Sequence, residues 1–346
     1  MFTFDQMLIP IWDTDVVYGE SFTMYREENG KISAPFLYEP EKIIEVRSAN
    51  LEILYEYGKD YLLKDGRLVL TENTAIPFME HEEIYMKEHL PGASFVYPGG
   101  YLLFCEGHFF HDRQIAVTYQ CKKGGWKGYV PTYKGDILHR TVRRLTEDKH
   151  LNVVLFGDSI SVGANASGMT FANPFQPKFG QLFAEKLKRV YDADVVFHNP
   201  SVGGKDSSWG MEVLDERVIA HNPDLVILAF GMNDKHEPDV FASHIRNMID
   251  RIKAANADTD IILIATSTPN PILTDPKAMF WNYQYLYGDT LKKFETDGVA
   301  LLDMGALQKE LHRNKRFIDT TGNNVNHPND FFIRIHAQAL SRLLVK

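Results

Sequence analysis

Four short segments of the chain hold residue types that together can transfer an acyl group. They are Gly157-Asp158-Ser159-Ile160, Asn199-Pro200-Ser201-Val202-Gly203-Gly204, Gly231-Met232-Asn233-Asp234 and Asn326-His327-Pro328-Asn329-Asp330. A serine alone is a poor nucleophile; an imidazole must take its proton during attack and return it to the leaving group. The tetrahedral intermediate then carries an oxyanion that needs donors already in place. A glycine N–H, a side-chain amide and the serine's own N–H would serve, each worth about 3 kcal/mol. Each residue alone has an ordinary reading: Ser159 or His327 as a helix cap, Gly204 and Asn233 as turn formers. Their value lies in the ordered set.

What must position them is legible from about Leu151 onward. Asn152-Val153-Val154-Leu155-Phe156 is a continuous apolar run ending at a glycine, as in buried parallel strands. Further strands are expected at 194–197, 225–230 and 261–265, with an edge strand at 299–302. Helical spacing separates them at 178–191, 212–220, 240–255 and 283–295, and a closing helix is expected over 331–344. Alternating strands and helices imply a doubly wound, three-layer α/β/α parallel sheet, flavodoxin-like, whose site lies beyond the carboxyl ends of the strands. Three of the four segments directly follow a predicted strand.

The first part reads differently. Short β-rich runs at 42–46, 51–55, 60–63, 67–70, 101–104 and 115–119 are separated by turn signals, with Asp65-Gly66 marking a hairpin. This predicts a β-sandwich or jelly roll over residues 1–145, ahead of an α/β domain at 151–346.

Composition bounds the partners. Hydrophobic residues make up 44% and charged residues 24% of 346, the balance of a globular protein. The net charge of −9 and the lack of any basic run argue against nucleic acid. No apolar run is long enough to span a membrane, and the start has neither a basic n-region nor an apolar h-region. The expectation is a soluble, cytoplasmic protein as written, or a secreted one had a signal peptide been trimmed, with no membrane partner and an unknown oligomeric state. Cys105 and Cys121 are too few for a disulfide scaffold or a zinc site. No metal and no cofactor is expected. Val202-Gly203-Gly204-Lys205-Asp206 lacks the upstream glycine and trailing Ser or Thr of a phosphate loop, and neither G-x-G-x-x-G nor G-x-S-x-G occurs. His108 and His111 lack a partner cluster. The aromatic run from Trp281 to Tyr287 reads as a half-buried helix or a sugar-stacking face, and Trp209 as a pocket wall.

In these blocks the sequence resembles the SGNH, or GDSL, hydrolase superfamily over about 151–346. Gly157-Asp158-Ser159-Ile160 matches the name-giving block, with isoleucine for leucine, and Gly204, Gly231-Met232-Asn233-Asp234 and His327 match the others in order. The resemblance implies Ser159 as nucleophile, His327 as base, and the Ser159 N–H, Gly204 N–H and Asn233 amide as the oxyanion hole. One position departs. The family usually has Asp three residues before the histidine; here Asn324 stands there. Exchanging that acid for its amide in a serine protease costs about 10⁴ in rate. Three arrangements follow: another carboxylate (Asp319 upstream, or Asp330 just after) reaches the imidazole; a backbone carbonyl or the Asn324 oxygen orients it in a Ser–His dyad; or the enzyme is impaired. Some two-domain carbohydrate esterases of the family use a dyad and a carbonyl.

A strand-rich region ahead of such a domain resembles the two-domain carbohydrate esterases that remove O-acetyl groups from glycans. The expected substrate is thus a small or oligosaccharide acyl ester. The alternatives are an esterase, thioesterase or lysophospholipase for another acyl ester, and an inactive carbohydrate-binding homologue.

Overall fold

The computed structural model describes residues 2–273 and 283–346. Its centre is a five-stranded parallel sheet made, in chain order, of His150–Gly157, Asp194–His198, Leu225–Ala229, Asp260–Ala265 and Val299–Asp303. The spatial order is 2-1-3-4-5, with the last strand at an edge. The chain moves one way from the first strand and the other way from the third on. Their carboxyl ends therefore flank the switch point where such sheets place their chemistry.

Period-two patterning assigns each strand residue to a face. Val153, Leu155, Leu225, Ile227, Ile262 and Ile264 pack with the helices Phe179–Tyr191 and Asp330–Arg342. Val154, Phe156, Val226, Leu228, Ile261 and Leu263 face the helix Pro238–Ala255 and Leu291 of Tyr287–Lys292. Both faces are covered, which is why these strands read as unbroken apolar runs.

The helix expected at 212–220 is broken into Ser207–Glu212, Leu214–Arg217 and a 3₁₀ turn Ile219–His221. Asp206 starts it early by accepting the Trp209 N–H at 3.0 Å. The β-branched Val213 and Val218 sit at the two breaks, in non-helical backbone. Of the run expected at 283–295, Tyr287–Lys292 is α-helical and Gln284–Leu286 is a 3₁₀ turn. Trp281 and Asn282 of the aromatic run lie outside the described residues. Tyr287 is core, stacked on Phe241, while Tyr285 is exposed.

The first part is strand-rich. Val16–Thr23, Gln114–Cys121, Pro40–Ser48 and Leu54–Tyr55 form an antiparallel sheet in that spatial order. Two three-stranded antiparallel sheets complete it: Ser33–Pro35, Arg67–Leu70 and Tyr61–Lys64, then Tyr85–Met86, Gly100–Leu103 and Ser94–Tyr97. At the predicted hairpin Asp65 and Gly66 have φ of 53° and 69°, as that turn requires. Both cysteines are free thiols.

The strand-rich part shares its hydrophobic cluster with the α/β part. Ile11, Val17, Phe22, Val117 and Tyr119 belong to one cluster with Phe331, Phe332 and Ile335 of the closing helix. Polar side chains stitch the same seam. Arg334 donates to the Gly19 carbonyl at 2.7 Å, and Gln338 takes the Ile11 N–H and donates to the Met7 carbonyl. Further along lies a charge cluster in which Glu20, Lys315 and Asp319 are buried. Arg316 holds Asp319 with two hydrogen bonds, of 3.0 and 2.8 Å, and Lys315 lies 2.8 Å from Glu20.

Candidate functional site

Ser159 opens a single helical turn at the end of the first strand, where Asp158 caps it by accepting the Ile160 N–H at 2.9 Å. Gly157 is obligatory there: a Cβ would lie 2.2 Å from the Ala229 carbonyl oxygen of the third strand. The Asp158 carboxyl is fully buried, and burial pushes it up to about 7 despite hydrogen bonds from the Ile160 and Met232 N–H groups. That last bond ties the serine turn to the Asn233 loop.

The glycine block extends the sheet's ladder beyond the first strand. Gly157 N–H donates to Ser201 Oγ at 2.9 Å, Val202 N–H donates to the Gly157 carbonyl, and Asn199 donates to the Ser161 carbonyl. A Cβ on Gly203 would stand 3.7 Å from Ser159 Cβ. Gly204 follows, exposed, at φ 75°, a left-handed conformation that suits glycine. Asn233 reaches the same loop, its Nδ2 donating to the Lys205 carbonyl at 3.1 Å. The serine, glycine and asparagine blocks are thus brought together at the switch point.

The imidazole arrives from the loop before the closing helix. His327 Nε2 lies 2.9 Å from Ser159 Oγ, and both residues are buried. Its loop is organised by Asn323, whose Oδ1 accepts the N–H groups of Val325, Asn326 and His327, each at 3.0 Å.

The structure corrects the expectation for the other side of the ring. Asn324 does not reach the imidazole: it takes φ 66°, donates to the Leu103 carbonyl at 3.1 Å, and presents its own carbonyl to Asn270. Asp319 does not reach it either, being consumed by Arg316, Lys315 and the Thr23 N–H. Burial raises that carboxyl, but the two cations outweigh it and hold it below the usual carboxylate range. Asp330 accepts the Ser167 N–H at 2.8 Å.

Two groups do face His327 Nδ1: Asn165 Oδ1 at 2.6 Å and Glu106 Oε2 at 3.2 Å. Two acceptors on Nδ1 place the proton there and leave Nε2 free to accept from Ser159. Neither group stood out in the sequence. Asn165 follows Ser159 by six positions and could have been sought once the amide at 324 left the ring without an acid. Glu106 lies in the strand-rich part and carries no spacing signal.

Trp209, expected as a pocket wall, is half-buried. Its ring packs on Phe156 and Phe230, with Arg217 and Lys205 cations over it. His108 pairs with Asp112, and His111 meets the Asn173 carbonyl. Among the described residues, Asp234, His236 and His244 offer ligand atoms within 4.8 Å of one another. Two of them are already engaged through Ser207, whose N–H and hydroxyl bond Asp234 and whose Oγ meets His244 Nδ1 at 2.9 Å. No helix among the described residues is long and apolar enough to cross a membrane.

Residues 155–331, just over half of the chain, match the GDSL-like Lipase/Acylhydrolase family model. An arylesterase of Vibrio mimicus is 28% identical over 115 residues, 32% of this chain and 54% of that protein. The chain thus spans about half the length of the curated relative it matches. Among solved structures, a two-domain esterase active on acetylated mannans is 18% identical, with a TM-score of 0.49 over 63% of this chain and 56% of its own. An acetylxylan esterase from Geobacillus stearothermophilus is 20% identical, with a TM-score of 0.47 over 57% of this chain and 94% of its own.

Proposed function

Because the chain belongs to the GDSL-like lipase/acylhydrolase family, we propose that it is a serine esterase hydrolysing acyl esters, with O-acetyl groups on carbohydrates as the substrate class. The observation that carries the reading is the 2.9 Å approach of Ser159 Oγ to His327 Nε2 at the sheet's switch point. Ser159 Oγ attacks the acyl carbon as its proton passes to Nε2. The tetrahedral oxyanion is met by the N–H groups of Ser159 and Gly204 and by the Asn233 amide. Collapse expels the alcohol, which takes the proton from Nε2. A water then repeats the sequence on the acyl-enzyme and releases the acid. No step calls for a cofactor. The carbohydrate acetate rests on the order of parts, a strand-rich region ahead of the family region.

Hydrolysis of 4-nitrophenyl acetate, butyrate and octanoate by wild type and Ser159→Ala tests this. Acetate should be cleaved fastest, and Ser159→Ala should lose about 10³-fold or more in kcat. Faster octanoate cleavage would move the reading to lipid-like esters. Wild-type inactivity alongside glycan binding would make the protein a binding homologue.

A further inference from the structure

We propose that Glu106, carried by the strand-rich N-terminal part, is the anionic positioning residue of His327, replacing the acid missing at Asn324. The inference rests on the reading of Ser159 and His327 as nucleophile and base.

Glu106 is held at both ends of its carboxylate. Oε2 lies 3.2 Å from His327 Nδ1, and Oε1 accepts from Asn323 Nδ2 at 3.2 Å. Asn323 is the residue that shapes the histidine loop, so one side chain fixes both the base and its partner. The segment around Glu106 meets the site at two further points. The Leu103 carbonyl accepts from Asn324, and the Gly107 carbonyl accepts from Asn165 Nδ2 at 2.9 Å. That second bond sets the Asn165 amide so that its oxygen faces Nδ1.

The two acceptors divide the work. Asn165, closer and buried, is neutral: it fixes ring orientation and tautomer but offers no charge to imidazolium. Glu106 is half exposed and supplies the charge. Burial raises its carboxyl, but the hydrogen bond and charge of His327, then Asn323 and Asn165, outweigh it and hold it below the usual range. It is therefore ionised at neutral pH and remains so while Nε2 carries the serine proton.

Because water reaches Glu106 and Asn165 stays in place, the loss should fall short of the ~10⁴ seen when a buried triad acid becomes an amide. We expect about 10- to 100-fold. The probe is a fluorophosphonate, which forms a bond from Ser159 Oγ to phosphorus and releases fluoride. Its rate at Ser159, read by intact mass from pH 5 to 9, does not depend on which ester is the natural substrate.

Glu106→Gln should slow labelling and move its acid limb to lower pH, because the anion favouring imidazolium is gone. Glu106→Asp should recover part of the rate and restore the limb. Glutamine can still accept from Asn323, so a purely structural role would leave the limb in place. The other titratable groups facing the pair are Asp158 and the Cys105 thiol, which burial raises; the exchange leaves both residues in place, so the comparison with wild type isolates Glu106. An unshifted limb and unchanged rate in Glu106→Gln overturn the inference. Labelling that does not depend on Ser159 overturns the esterase reading instead.

Discussion

Two carboxylates at the meeting of the strand-rich part and the α/β part have opposite surroundings. At one seam Asp319 is fully buried, clamped by two hydrogen bonds from Arg316, and within 3.6 Å of Lys315. At the other, Glu106 is half exposed and is hydrogen-bonded by an imidazole and two amides. The sequence offers Asp319 as the nearest upstream carboxylate to His327; the environment disqualifies it. A carboxylate locked between two cations is already neutralised and has no geometry left for the ring. One satisfied mainly by the imidazole can respond to its charge. What separates a structural acid from a positioning acid is the company it keeps.

The comparison can be broken most severely at Asp319. Asp319→Asn leaves part-buried Arg316 without its carboxylate and buried Lys315 with Glu20 alone, and should cost about 3–5 kcal/mol in urea unfolding. The esterase rate of the fraction that stays folded should be unchanged within about twofold. A stable variant with lost activity would reverse the two roles. The sign with pH follows from the depressed carboxyl: its stabilisation is present above the ordinary carboxylate pKa of ~3.9 and is lost as pH falls through its lower folded value. Wild type should therefore lose stability below about pH 4, and Asp319→Asn should lack that component.

Glu106→Gln sharpens the contrast from the other side. Its effect on the same urea curve should stay within about 0.5 kcal/mol, since the group is solvent-screened. A larger loss would make Glu106 a structural acid as well.

The smallest effect concerns a third carboxyl. Asp158 is raised to about 7 by burial, so the stability associated with its protonated form is present below its unfolded value and is lost as pH rises toward 7. Asp158→Asn should narrow the difference in Tm between pH 5 and pH 8. An unchanged difference would place the proton elsewhere.

Much of the parallel sheet could be read beforehand because burial on both faces leaves an unbroken apolar signature, as in Asp260–Ala265. Ser159, Gly204, Asn233 and His327 stand out in the sequence for a related reason: each sits just past such an element or just before the last helix, where the fold admits polar side chains. Glu106 was invisible. It ends no periodic element, and its partner is 221 positions away. Asn324 misled because position in a motif does not set side-chain direction; at φ 66° the amide turns toward Leu103. The break in the helix expected at 212–220 was missed because Val213 and Val218 fit the apolar spacing while departing from helical backbone.

The polar stitches from Gln338 to Ile11 and Met7 span 327 and 331 positions. A ribosome delivers Ile11, Val17 and Phe22 long before it delivers Phe331, Phe332 and Ile335, which complete their core. Most of the chain must therefore emerge with that apolar surface uncovered. Vectorial folding of the early strands as a finished unit is closed to this topology, because their core is completed only when the closing helix emerges.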